Sequence, residues 1–261
     1  LSLGLGELKK FVDTDDAART NLKKLAVKVS REQYDRLGWD QKIDEPENDI
    51  KLRPLIIGLQ IYGENEQAIQ EAVRRFDAAT SPEDLEPELR GVIMAGKVKQ
   101  GLSSDEFDRL VNLYTSTTSA EVREEISGAL TSTEDETQIQ TLLGFTSDGN
   151  VVRPQDAAHW YVNLLRSRFA RNAAWKWLQS NWNWVVKTFG GDKSYDDFAR
   201  YSASFLQTDE QLKEYKSFFE PMKDQPALTR VIELGISELQ ARVALIESQR
   251  DDVSDALAEL K

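Results

Sequence analysis

Apolar residues recur at spacings of three and four through most of this 261-residue chain. Side chains three and four positions apart share one face of an α-helix, whereas a half-buried strand needs alternation with a period of two. No segment alternates in this way, so the spacing predicts an all-α fold. Two long helices are predicted, at about residues 15–37 and 227–260, with shorter helices between them.

The shorter helices are predicted to form a repeat of helix pairs. Segments 52–58 and 89–95 are similar in sequence, and each opens a helix that is followed by a second one ending in an aromatic residue, Phe76 or Tyr114. At successive offsets of 37, 33 and 35 residues, units are predicted to open near Leu52, Leu89, Val122 and Ala157. Such a period is typical of TPR, ankyrin and HEAT arrays, and the consensus residues of the first two are missing. We predict a HEAT-like superhelix of antiparallel helix pairs, with about 12–14 helices.

Helix starts and ends carry separate signals. A Ser or Thr followed three residues later by Glu or Gln caps a helix start through reciprocal hydrogen bonds. This spacing predicts starts at four pairs: Ser103 and Glu106, Thr118 and Glu121, Thr133 and Glu136, and Thr208 and Gln211. Glycine commonly ends a helix, and helix ends are therefore predicted at Gly63, Gly101 and Gly149.

The charge balance excludes some classes of partner. Lys and Arg total 33 against 45 Asp and Glu, so the formal net charge is −12. Nucleic-acid surfaces need clustered basic residues, and a membrane span needs about 20 consecutive apolar residues. We therefore predict neither a nucleic-acid nor a membrane partner. The chain has no cysteine, which fits a reducing, cytoplasmic location.

Sequence signals for catalysis are missing. His159 is the only histidine, and no HExxH segment is present. A zinc site needs three or four ligands, and a serine nucleophile commonly sits in a Gly-x-Ser-x-Gly turn that this chain lacks. We predict no catalytic and no metal-binding residue in the chain. A hydrolase that uses clustered carboxylates remains an alternative, although 45 carboxylates also make chance proximity common.

One predicted helix carries a candidate binding face. His159, Asn163 and Arg166 are spaced so that they share one stripe of a helix. The opposite stripe is apolar and predicted to be core: Ala158, Tyr161, Val162, Leu165 and Phe169. Arg168 and Arg171 follow, and arginine suits planar carboxylates. The arginines could anchor the C-terminal carboxylate of a peptide, or they could pair with the Asp and Glu of other helices.

Four tryptophans fall within ten residues, at Trp175, Trp177, Trp182 and Trp184. Such a group could form a stacking surface for a ligand, but helical spacing more often indicates core. The predicted buried face consists of Ala174, Trp177, Leu178, Val185 and Phe189.

Several segments, in their order and distances, resemble the C-terminal domain of the aminopeptidase N family of gluzincin zinc metallo-aminopeptidases. The resemblance runs from about residue 15 onward. It rests on Leu37-Gly38-Trp39, Glu45, Leu52-Arg53, Leu89-Arg90, Ala129-Leu130, Val152–Asp156, Asn172–Leu178, Asn181-Trp182 and Phe218-Phe219.

The resemblance implies that residues 1–261 form one helical domain that is non-catalytic alone. It implies an upstream catalytic domain in the same polypeptide, which holds the zinc, and a peptide substrate whose cavity this domain encloses by closing over the active site. The family domain usually starts several helices earlier, so Leu1, Leu3, Leu5 and Leu8 are expected to expose an apolar face. By position, the candidates for the cavity side are Arg153, Gln155, Asp156, His159, Asn163, Arg166 and Arg171. The alternative is a free-standing HEAT-type scaffold that binds a peptide or protein in its groove.

Overall fold

The computed structural model describes residues 2–191 and 194–260, which form 13 α-helices and three short 3₁₀ turns with no strand. The first seven helices are α1 (Ser2–Leu8), α2 (Asp16–Leu37), α3 (Glu47–Tyr62), α4 (Glu66–Ala78), α5 (Pro87–Gln100), α6 (Ser104–Ser116) and α7 (Ala120–Leu130). The others are α8 (Glu136–Thr146), α9 (Pro154–Arg166), α10 (Arg171–Phe189), α11 (Asp196–Phe205), α12 (Asp209–Phe219) and α13 (Thr229–Glu259). The predicted all-α class and the two long helices are confirmed, and the number of described helices lies within the predicted range. None of the described helices is long and apolar enough to cross a membrane.

The helices group into two compact units. One contains the described residues up to Leu130 and those from Gln249 onward, and the other is Thr131–Ser248. Helix α13 contributes its last turns to the first unit and its earlier turns to the second. The predicted single domain over residues 1–261 stays a prediction.

In the first unit, the opening helices of three consecutive pairs pack in a row, because α3 contacts α5 and α5 contacts α7. This side-by-side stacking is how a pair that cannot bury its own apolar face obtains a core. Near the start of the chain, α1 to α3 and the end of α13 share one cluster of buried side chains: Leu5, Val12, Ala18, Leu22, Ala26, Leu37, Ile56, Leu59 and Leu257.

Burial in this cluster corrects the expectation for the first residues. Leu5 is buried and Leu8 is half-buried against the same cluster, whereas Leu3 is 88% exposed. Leu1 lies outside the described residues. The predicted apolar face is therefore wrong for Leu5 and Leu8, because α1 uses them to pack against α2 and α3.

An arginine near the start of each opening helix in this unit holds the loop that precedes it. Arg53 in α3 forms a buried ion pair with Glu45. Arg90 in α5 donates from Nε to the carbonyl oxygen of Pro82 at 2.9 Å. Arg123 in α7 donates to the carbonyl oxygen of Thr117 at 2.5 Å. These three arginines thus fix each opening helix to the connection that precedes it.

The second unit has an aromatic core. Helix α9 contacts α8, α10 and α11, and α11 contacts α12. Its largest fully buried side chains are Trp160, Trp175, Tyr161, Tyr215, Phe198 and Phe219. The part of α13 in this unit buries Ile232, Leu239, Val243 and Ile246 of the predicted stripe, and Leu228 is buried directly before the helix.

Two of the four predicted capping pairs are confirmed, those starting at Ser103 and Thr208. The predictions at Thr118 and Thr133 are wrong. The Ser119 hydroxyl accepts from the backbone N–H of Val122 at 3.3 Å, and the Asp135 carboxylate accepts from that of Gln138 at 2.8 Å. In both cases a nearer side chain takes the capping position. Gly63 and Gly101 end helices as predicted, whereas α8 ends at Thr146, before Gly149.

Candidate functional site

Helix α9 carries the candidate site. It opens with Pro154 at its first position, where a missing N–H costs nothing. Asp156 lies in the first turn and Arg166 in the last, which complements the helix dipole at both ends. The buried side of α9 consists of Ala157, Trp160, Tyr161, Val162, Leu164 and Leu165.

Tyr161 joins α9 to α11 through a buried hydrogen bond. Its hydroxyl lies 2.7 Å from that of Ser202, and the Ser202 hydroxyl donates to the carbonyl oxygen of Phe198 at 2.7 Å. Since Ser202 uses its single proton in that bond, Tyr161 is the donor to Ser202. Burial raises the pKa of the Tyr161 phenol, against the opposing effect of Ser202, so the phenol keeps its proton. These buried hydrogen bonds fix the orientation of α9 relative to α11.

The opposite side of α9 presents the predicted polar residues to solvent. Gln155, His159 and Arg166 are exposed, as is Arg153 just before the helix, whereas Asp156 and Asn163 are half-buried. His159, Asn163 and Arg166 therefore share one side of α9, as their spacing predicts, and Gln155 and Asp156 lie on the same side. Phe169, which was predicted to be core, is 44% exposed because it lies in the turn after α9 and not in the helix.

Polar contacts along this face order its side chains. Arg153 donates from Nε to the Asp156 carboxylate at 2.7 Å. The side-chain amide nitrogen of Asn163 lies 3.0 Å from Nε2 of His159, one helical turn away. Since the amide nitrogen is a donor, this contact uses the imidazole with Nε2 unprotonated. The face therefore presents guanidinium, imidazole and amide groups that suit the carbonyls and carboxylates of a peptide.

Arg166 lies at the end of this face, and an aromatic ring of α11 contacts its side chain. Its guanidinium lies over the ring of Phe205, 5.3 Å from the ring centre, in a cation–π contact. The Phe205 ring orients the guanidinium while leaving Arg166 exposed.

Arg171 is placed differently from the other candidates, and its inclusion on the cavity side stays a prediction. Its side chain is buried, with 6% exposure, and its Nε donates to the carbonyl oxygen of Leu165 at 3.1 Å. An Nη2 contact reaches the carbonyl oxygen of Arg166 at 3.4 Å. These carbonyls belong to the last turn of α9, where intrahelical donors run out. Arg171 therefore caps α9 from inside the fold.

The tryptophan group is mainly core, and Ala174, Leu178 and Val185 of the predicted face are buried. Trp175 and Trp182 are buried, whereas Trp177 and Phe189 are only half-buried. Trp175 packs against Tyr215 and donates from its indole nitrogen to Glu214 at 2.7 Å. The prediction is wrong for Trp177 and Phe189, because α10 packs on more than one helix and two of its faces are covered.

Within residues 2–191 and 194–260, no group of three or more His, Cys, Asp or Glu side chains is placed to hold a metal ion. The chemistry that α9 offers is hydrogen bonding and charge recognition. Of the signals in the sequence, the helical spacing of His159, Asn163 and Arg166 was sufficient to find this face.

Comparisons with known proteins agree with the resemblance. The model of the ERAP1-like C-terminal domain matches residues 1–241. Aminopeptidase N of Lactobacillus helveticus is 34% identical over 97% of this chain, and aminopeptidase N of Lactococcus lactis subsp. lactis (strain IL1403) is 35% identical over 100% of it. Aminopeptidase M1 of Arabidopsis thaliana is 28% identical over 97% of the chain.

These alignments cover 30%, 31% and 29% of the three relatives, so the chain spans about 30% of the length of the curated relatives that it matches. The family model, by contrast, extends over most of this chain. The resemblance inferred from the sequence is confirmed, and the chain belongs to the family of ERAP1-like C-terminal domains.

Proposed function

We propose that this chain is the non-catalytic C-terminal part of a zinc aminopeptidase, which caps the active site of the parent enzyme and encloses its substrate cavity. Family membership and the aminopeptidase names of the relatives support this proposal. The observation that carries it is the exposed polar face of α9, which is rigidly seated and ends in Arg166.

The dimensions of this face suit the distal part of a peptide. From Arg153 to Arg166 the helix rises about 20 Å, at about 1.5 Å per residue. An extended peptide of about six residues spans the same length. In this arrangement Arg166 binds the peptide's C-terminal carboxylate, while Gln155 and the His159–Asn163 pair offer hydrogen bonds to backbone carbonyls. Arg153 and Asp156 neutralise each other at 2.7 Å and shape the other end.

The zinc of the family does not fit this chain. A zinc site takes three or four nitrogen, sulfur or carboxylate ligands, and the sequence has one histidine and no cysteine. The described residues hold no cluster of three suitable side chains. We therefore place the metal in an upstream catalytic domain of the same polypeptide, and we derive no step in this chain through it.

The proposed contribution to catalysis is closure. A domain that swings over an active site excludes water and completes a cavity whose chemistry resides elsewhere. The peptide's distal end, held on α9, would then link substrate length to closure. We propose a cytoplasmic location for the enzyme, in keeping with the lack of cysteine.

A complementation assay tests the lid role. The chain would be mixed with the separately expressed upstream part of its gene, and aminoacyl-anilide hydrolysis would be followed with and without a zinc chelator. We expect the mixture to gain a chelator-sensitive activity that neither part has alone. An unrelated acidic helical protein at the same concentration is the control. If the two parts neither bind nor gain activity, the lid role is wrong and a free-standing scaffold becomes the better interpretation.

A further inference from the structure

A basic groove lies in the first unit, away from α9. It runs between one side of α2 and the turn that joins α3 to α4, and it has a volume of about 520 Å³. Its lining residues are Lys24, Val27, Lys28, Arg31, Gly63, Glu64, Asn65 and Gln67. Positive side chains dominate this surface, although the chain as a whole has a formal net charge of −12.

Gly63 is the reason that the turn approaches α2 so closely. A Cβ atom at this position would lie 2.3 Å from Cγ2 of Val27 and 2.8 Å from the carbonyl oxygen of Lys23, so no other residue fits without movement. Directly after the turn, the Asn65 side chain caps α4 by accepting from the backbone N–H of Gln67 at 3.0 Å. The floor of the groove is thus built by tight packing and does not depend on a mobile side chain.

Glu64 is the only acidic residue that lines the groove, and its charge is already compensated. Its carboxylate lies 2.5 Å from the ammonium of Lys23 and 2.9 Å from that of Lys99. Burial alone would raise the pKa of Glu64, but hydrogen bonds from Lys23 and Lys99 outweigh burial and lower it. The backbone of Glu64 has φ of +61°, which is uncommon outside glycine. Such a conformation persists only where surrounding contacts hold it, and here the backbone N–H groups of Glu64 and Asn65 donate to the carbonyl oxygens of Ile61 and Gln60 at 3.0 and 2.9 Å.

The remaining charges of the groove are positive. Lys24 and Lys28 are exposed, and in the part of the chain that the structure describes no carboxylate lies within 4.0 Å of either ammonium. Arg31 contacts Asp35 at 3.0 Å, but both side chains are about half exposed and such pairs are weak. Two unpaired lysines and a weakly paired arginine therefore follow one side of α2.

The spacing of these cations suits an extended chain. Lys24 and Lys28 are four residues apart, a rise of about 6 Å along a helix. Side chains on the same side of an extended peptide are about 6.6–6.8 Å apart, since they alternate every second residue. Carboxylates at alternate positions of a peptide would thus meet Lys24 and Lys28 in turn, and Arg31 follows three residues further along α2.

We propose that this groove binds an extended peptide segment with acidic residues at alternate positions. The volume, the unpaired lysines and the matched spacing favour a peptide over a single small anion. A nucleic-acid backbone is disfavoured, because the formal net charge of −12 would repel it outside this small patch. The proposal is independent of the lid role, since it involves neither α9 nor the parent's active site.

Fluorescence anisotropy tests the proposal directly. The probe is a labelled peptide with Glu at every second position, titrated with the 261-residue protein at low salt, and the same peptide with Gln in place of Glu is the ligand control. The double variant Lys24→Ala/Lys28→Ala is expected to bind the Glu peptide about tenfold more weakly. The double variant Lys176→Ala/Lys187→Ala removes the same charge from exposed positions of α10, and its affinity is expected to stay within about twofold.

A third variant acts in the opposite direction. Glu64→Gln removes the negative charge of the groove and releases Lys23 and Lys99, so it is expected to strengthen binding by roughly threefold. Circular dichroism establishes that each variant is folded. Equal weakening by the two double variants, equal binding of the Gln peptide, or displacement by inorganic phosphate at the same concentration as unlabelled Glu peptide would each overturn the proposal.

Discussion

Arginines at helix starts in the first unit and arginines on α9 have the same chemistry and opposite placements. Arg90 is 6% exposed and divides its guanidinium between the Pro82 carbonyl and the Glu125 carboxylate, each at 2.9 Å. Arg153 and Arg166 are exposed; Arg153, directly before α9, contacts Asp156, and Arg166 lies over the ring of Phe205. A buried guanidinium with fixed acceptors stabilises the fold, whereas an exposed one remains available to a ligand.

The largest expected effect comes from breaking the buried arrangement. Arg90→Met leaves the Pro82 carbonyl and Glu125 without their donor, and we expect it to lower the free energy of unfolding by about 3 kcal/mol. That corresponds to a decrease in Tm of roughly 10 °C for a chain of this length. Urea unfolding followed by circular dichroism measures the change. Arg153→Met, which removes an exposed arginine, is the matched control and should stay within about 0.5 kcal/mol.

The pH dependence of this variant sharpens the comparison. Burial raises the pKa of Glu125 above 4.5, and hydrogen bonding to Arg90 opposes that rise. Without Arg90 the folded-state pKa rises further, so the folded protein binds a proton more tightly than the unfolded chain does. The contribution of Glu125 to the stability of the variant is then greatest below pH 4.5 and is lost as pH rises through its folded-state pKa. The deficit relative to wild type should therefore be smaller at pH 4.5 than at pH 7, and a constant deficit would contradict the assigned role of Glu125.

Arg171 in the second unit tests whether a buried arginine there stabilises the fold, as Arg90 does in the first unit. It lies next to the candidate face in sequence, but like Arg90 it is buried and donates to backbone carbonyls. We expect Arg171→Met to lower the free energy of unfolding by about 2 kcal/mol, since the last turn of α9 loses its charged donor. Hydrogen exchange should also become faster in that turn. A stability equal to wild type would mean that Arg171 is not a cap and would keep it among the ligand-binding candidates.

The fold was more predictable from the sequence than the burial of individual residues. Helix α2 begins and ends where predicted, because Asp15 caps its start and Gly38 with φ of +61° ends it. Trp175 is buried although it lies outside the predicted buried face. Helical periodicity assumes one buried side, whereas α10 contacts α8, α9 and α11 and also packs rings against α12. Asp135, and not Thr133, caps α8, and residue spacing alone does not distinguish two capping side chains that lie two positions apart.

The α9 face and the basic groove also differ in how far the sequence alone predicts them. The α9 face follows from helical spacing alone, since His159, Asn163 and Arg166 belong to one helix. The basic groove joins Lys24 and Lys28 to a turn about 40 residues away in the chain, and that contact depends on the missing side chain of Gly63. Sites within one helix can therefore be read from local pattern, whereas a site between two segments needs their packing.

The smallest effect on stability is expected at Arg166. Arg166→Ala loses an exposed cation–π contact, which is worth at most about 1 kcal/mol. Its effect should instead appear in the full-length enzyme, as weaker binding of free-acid peptides by about tenfold relative to their C-terminally amidated forms. Phe205→Leu removes the ring that orients the guanidinium, so it should reduce the same preference by a smaller factor while retaining the charge. If Arg166→Ala weakens amidated and free-acid peptides equally, its guanidinium does not bind the terminal carboxylate. Exposure of an arginine on α9 would then not indicate that it binds a ligand.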